Sequence, residues 1–131
     1  MPTILIVDDE HDVLTAFAAV LRHEGYAVRT ATTPEKALQM LDSERPDLVL
    51  LDINLGNMDQ TDGLDLFRQM RERLPQLKAV VVSGYLDLVT RQAALDAGAL
   101  DCWPKPVTMQ ALIERTAQVL GQQPSLPPDA G

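Results

Sequence analysis

Four clusters carry most of the chemistry open to this chain: the acidic run Asp8-Asp9-Glu10, Asp52 directly behind four apolar residues, Ser83-Gly84, and Lys105-Pro106. Crowded carboxylates repel one another, so Asp8, Asp9 and Asp52 would need a cation between them if they met. Carboxylate, carbonyl and water oxygens suit octahedral Mg²⁺, with Mn²⁺ as a substitute. They suit zinc poorly, and for zinc the chain offers only His11, His23 and Cys102. Lys105 and the Ser83 hydroxyl could then hold the oxygens of a phosphoryl group, whose transfer depends almost entirely on positioning and charge. Asp52 would be the nucleophile.

Such a pocket exists only if the elements bring the four clusters to one place. Short apolar runs rich in β-branched residues alternate with amphipathic stretches, which predicts a parallel sheet covered by helices on both faces. Strand 1 reads Thr3 to Val7, strand 2 Tyr26 to Ala31, strand 3 Leu48 to Leu51, strand 4 Ala79 to Val82 and strand 5 Asp101 to Trp103. Between them, helix 1 runs from about Glu10 to Glu24. Helix 2 opens at Thr33-Pro34, helix 3 begins near Asp62 or Gly63, helix 4 runs from about Asp87 to Ala97, and helix 5 is capped by Thr108 and stopped by Gly121. Ligands of open parallel sheets bind outside the carboxyl ends of the strands. Those ends are Asp8-Asp9, Asp52, Ser83-Gly84 and Lys105-Pro106, while strand 2 ends in the uncharged Ala31-Thr32. With a strand order of 2-1-3-4-5, the four chemically equipped ends are neighbours.

Composition narrows the classes further. The 131 residues are 46% hydrophobic and 23% charged, enough for one ordinary core and too apolar for disorder. A net charge of −8 argues against a surface that attracts nucleic acid or anionic lipid. Cys102 is the sole cysteine, which excludes an intrachain disulfide and makes a reducing cytoplasm the expected compartment. The longest apolar runs fall far short of the ~20 residues that span a bilayer, and no basic signal region precedes the first. Residues 122–131, with three prolines, read as a tail or a truncated linker. His11 and His23 lie outside the apolar stripe of helix 1 and read as surface residues.

Val7-Asp8-Asp9-Glu10, Leu51-Asp52, Val82-Ser83-Gly84, Ala97-Gly98-Ala99 and Lys105-Pro106, in this order at these strand ends, resemble the receiver domain of bacterial two-component response regulators. The resemblance covers about residues 3–121 and implies residues 1–121 as the receiver domain. It implies a flavodoxin-like (βα)5 α/β sandwich of three layers with strand order 2-1-3-4-5. It also implies Mg²⁺-dependent phosphorylation of Asp52 by a sensor histidine kinase or phosphotransfer protein. By the same resemblance Asp8 and Asp9 are the acidic metal pair, with Asp52 and the backbone carbonyl of Asn54 as further ligands. Ser83 is the switch hydroxyl, Lys105 binds the phosphoryl group, and Lys105-Pro106 is a cis bond. The output would be a protein partner, or a homodimer through helix 4, strand 5 and helix 5, and the domain would turn over no free substrate beyond its own aspartyl phosphate.

Rival classes fit less well. A haloacid-dehalogenase-type enzyme needs a second acid two residues after the nucleophile, where Asn54 stands, and a nucleotide or flavin module needs a glycine-rich turn where Asp8-Asp9-Glu10-His11 stands. A receiver-like adaptor not regulated by phosphorylation is the remaining alternative. Three departures from the family pattern concern the output. The loop Gly56 to Gly63 is about three residues longer and lacks the usual proline. Val107 stands where an aromatic is usual, and Cys102 replaces the switch Tyr or Phe on strand 5.

Overall fold

The computed structural model describes residues 2–52, 61–84 and 87–121. Its elements run β1 (Thr3–Val7), α1 (His11–His23), β2 (Ala27–Ala31), α2 (Pro34–Ser43), β3 (Leu48–Leu51), α3 (Thr61–Arg73), β4 (Ala79–Ser83), α4 (Leu88–Asp96), β5 (Asp101–Pro104) and α5 (Met109–Leu120). The five strands form one parallel sheet of order β2-β1-β3-β4-β5. The three central strands carry almost nothing but Ile, Leu, Val and Ala because both of their faces are covered. Edge strand β2 can afford an exposed Arg29.

Alternation along the strands divides the core in two. Leu5, Val7, Val49, Leu51, Val81 and Cys102 point to the side packed by α2, α3 and α4, where Phe67 and Met70 are wholly buried. Ile4, Ile6, Leu48, Leu50, Val80, Val82 and Trp103 point to the side packed by Leu14, Ala18 and Leu21 of α1 and Leu112 of α5. Cys102 and Trp103, adjacent in sequence, thus serve opposite layers.

The helix ends follow local chemistry. The Thr33, Asp87 and Thr108 side chains accept hydrogen bonds from the N–H groups of Lys36, Thr90 and Ala111, at 3.2, 2.7 and 3.0 Å. Gly121 closes α5 with a φ of 69°, in the left-handed region that costs glycine little.

Some boundaries differ from the sequence reading. Tyr26 does not begin β2, because its N–H is spent on the Leu21 carbonyl (3.2 Å) in the closing turn of α1. Strand β5 runs on to Pro104, which pairs in register with Ser83. Residues 61–63, expected in the long loop or at its edge, belong to α3, whose first turn leaves N–H groups unpaired in any case and tolerates polar residues and glycine. Residues 56–60 of that loop, Asn54 and the segment 122–131 lie outside the described residues.

Candidate functional site

The site is built from residues one position beyond the ends of three strands. Val7 and Leu51 are partners in register, so the next residues, Asp8 and Asp52, emerge side by side. Their backbones are pinned: the Asp8 N–H donates to the Ala31 carbonyl at 3.1 Å, and the Asp52 N–H to the Val7 carbonyl at 2.9 Å. Both side chains are buried. Lys105 follows β5, its N–H donating to the Ser83 carbonyl at 2.9 Å, and the Lys105–Pro106 peptide bond is cis.

From there the lysine side chain reaches across the end of β4. Its ammonium donates to Asp8 Oδ2 at 2.7 Å, to Asp52 Oδ2 at 2.9 Å and to Glu10 Oε1 at 3.2 Å. Burial by itself would lower the lysine pKa. The hydrogen bonds to Asp8 and Asp52, with the charges of both, outweigh it and hold the ammonium above the ordinary lysine range. Lys105 is therefore protonated throughout the physiological range, a fixed positive charge at the mouth of an acidic pocket.

Carboxylate oxygens of Asp8, Asp9, Glu10 and Asp52 lie within 4.8 Å of one another. Asp9 is half-buried and Glu10 exposed. This all-oxygen donor set, with two buried members, fits a hard divalent cation of the Mg²⁺ type. Ser83 is wholly buried at the end of β4, between the strands that carry Asp52 and Lys105.

Glu10 is the functional residue the sequence reading left without a role. It occupies the N-cap of α1 with extended backbone but makes no capping bond. Its N–H donates to Asp8 Oδ1 at 2.9 Å, and its carboxylate turns to Lys105. A third acid in the run after strand 1 was the only signal available.

The proposed switch residue Cys102 is buried against α4, its sulfur 4.0 Å from the Arg91 carbonyl oxygen. Burial pushes its thiol pKa up, which makes it a packing residue and a poor nucleophile. Trp103 on the other face donates from Nε1 to Asp101 Oδ2 at 3.1 Å, and the Arg115 guanidinium lies 5.9 Å from its ring centre. His11 and His23 are exposed and outside the site. Among the described residues no helix is long and apolar enough to cross a membrane.

A five-stranded parallel sheet covered on both faces, with a lysine-bridged acid pocket at its strand ends, defines a doubly wound α/β protein of the flavodoxin-like class. The family follows from comparison. The chain belongs to the response regulator receiver domain family, whose model matches residues 4–117. It is 38% identical over 117 residues to the nitrogen assimilation regulatory protein NtrX of Azorhizobium caulinodans, covering 89% of this chain and 26% of that protein. It is 37% identical over 117 residues to the response regulator MprA of Mycolicibacterium vanbaalenii, covering 89% of this chain and 49% of that protein. The chain thus spans a quarter to a half of the length of these relatives. Among solved structures, a response regulator from Thermotoga maritima superposes with a TM-score of 0.84 at 30% identity, covering 93% of this chain and 99% of that one. The receiver domain of NtrX from Brucella abortus superposes with a TM-score of 0.82 at 35% identity, covering 92% of this chain and 99% of that one.

Proposed function

We propose that residues 1–121 form a phosphoreceiver unit in which Asp52 accepts a phosphoryl group from a histidine kinase or phosphotransfer protein. The observation that carries this reading is the one half-buried ammonium shared by the buried Asp8 and Asp52, residues from two different strand ends. An Asp52 carboxylate oxygen forms the new bond to phosphorus while the bond from phosphorus to the donor breaks, and the donor keeps that electron pair. Lys105 moves from carboxylate to phosphoryl oxygen, and the Ser83 hydroxyl takes another oxygen of the same group. Asp8, Asp9, Asp52 and the Asn54 carbonyl are the residues that would hold Mg²⁺, which when bound neutralises the acids and draws charge from the phosphoryl oxygens.

Phosphorylation then alters the surface of α4, β5 and α5, which a protein partner or a second copy reads. Cys102 has no ring to swing toward Ser83, so the response travels through α4 and the backbone. The test is intact mass after incubation with a small phosphodonor and Mg²⁺. Wild type gains the ~80 Da of one phosphoryl group and Asp52→Asn gains none. Equal labelling of the mutant removes Asp52 from the role, and no labelling of wild type leaves the unphosphorylated adaptor.

A further inference from the structure

We infer that Glu10 is a positioning residue that competes with the incoming phosphoryl group for Lys105 and so slows phosphoryl acceptance. An ammonium has three N–H donors. In this structure Lys105 directs them to three carboxylates, Asp8 at 2.7 Å, Asp52 at 2.9 Å and Glu10 at 3.2 Å. A phosphoryl oxygen can therefore gain a bond from Lys105 only when one of these acids gives one up.

Burial decides which acid yields. The Asp8 and Asp52 side chains are each 4% exposed, so releasing either leaves a carboxylate away from water with one partner fewer. The Glu10 side chain is 59% exposed and its carboxylate rehydrates on release. Glu10 is also held in place to do this. Its N–H is tied to Asp8 Oδ1, and its side chain leaves the start of α1 uncapped in favour of the lysine. The pair it forms with Lys105 stabilises the resting pocket and is absent once the ammonium has moved to phosphate, so it adds to the barrier of acceptance. Asp8 and Asp52 belong to the reading above, on which this inference rests; Glu10 adds a control on the rate.

The experiment measures the rate of phosphorylation of the full chain by an acyl phosphate at saturating Mg²⁺, in wild type, Glu10→Gln, Lys105→Ala and the double variant. Removing one exposed ion pair from the resting state should speed Glu10→Gln about two- to fivefold. In the Lys105→Ala background the same substitution should leave the rate unchanged. In Mg²⁺-free protein, Glu10→Gln should also move the Lys105 side-chain NMR resonance.

If Glu10→Gln matches or trails wild type, or its Lys105 resonance stays in place, the inference is overturned. An equal acceleration without Lys105 overturns it too, by assigning the effect to the charge of Glu10 acting on the anionic donor. Wild type that gains no phosphoryl group at all brings down the phosphoacceptor reading and this inference together, an outcome distinct from the others.

Discussion

At the carboxyl ends of β1, β3 and β5, Asp8, Asp52 and Lys105 are largely withdrawn from water and bond one another. At the amino ends of the sheet, Arg45, Asp47 and Lys78 are exposed and stand with Leu74, Leu77 and Leu120 around a groove of about 860 Å³. None of the candidate site residues lines that groove. Desolvating a charge is expensive, and a fold carries buried charges only where they are mutually satisfied or put to use. The amino ends instead carry local contacts between helix and loop. There the Arg71 guanidinium donates to the Leu77 carbonyl at 2.8 Å and passes under Gly98, whose φ is 111°. Burial of charge separates the end of this molecule that holds the candidate site from the opposite one.

The sharpest way to break that contrast is to measure Mg²⁺ affinity. Asp9→Asn removes a carboxylate from the donor set and should weaken binding on the order of tenfold or more. Lys105→Ala should weaken it much less, because an ammonium is no ligand. Arg45→Ala and Lys78→Ala, at the groove, should leave it unchanged. Magnesium titrations that rank Lys105→Ala above Asp9→Asn, or that find groove variants impaired, would dissolve the distinction between the two ends.

A smaller effect is expected from the opposite end. A Cβ on Gly98 would lie 2.9 Å from the Arg71 guanidinium carbon and would force a side chain into a left-handed conformation. Gly98→Ala should therefore cost about 1–3 kcal/mol in denaturant unfolding, while Asp52 labelling at a temperature where the variant is folded stays at the wild-type level. Loss of labelling without loss of stability would mean that the amino ends take part in the chemistry.

The smallest effect concerns the start of α4, at the same end of the sheet as the pocket. The Asp87 carboxylate accepts from the Thr90 N–H at 2.7 Å, and hydrogen bonding to Thr90 holds its pKa below the ordinary 3.8. A lowered carboxylate pKa means stabilisation that is complete above the ordinary value and lost as the pH falls through the lowered one. Asp87→Ala should thus lower the melting temperature slightly at neutral pH, and the gap from wild type should close as the pH falls below 3.8. A gap that widens in acid would contradict the cap.

Much of this was written in the chain itself. Unbroken apolar runs in Thr3–Val7 and Ala79–Ser83, with helical stripes between the strands, dictate a parallel sheet with two covered faces. The two-residue period of side-chain direction along a strand places Cys102 and Trp103 in opposite layers. Asp8, Asp52, Ser83 and Lys105 are visible as strand-end residues, because each directly follows or closes an apolar run. Local signals were less exact where two uses competed for one group, as when the closing turn of α1 claimed the N–H that Tyr26 would have given to β2.

What the sequence could not decide is who meets whom across the sheet. Lys105 joins Asp8 over a separation of 97 residues and Asp52 over 53, distances at which no periodicity operates. Strand order and register set those meetings, by placing β3 between β1 and β4 and by pairing Val7 with Leu51 and Ser83 with Pro104. The role of Glu10 is a purely tertiary result. Alone it is an acid at the start of a helix, where the dipole would suffice to explain it. It becomes part of the site because a lysine from the far edge of the sheet arrives with a third N–H to give.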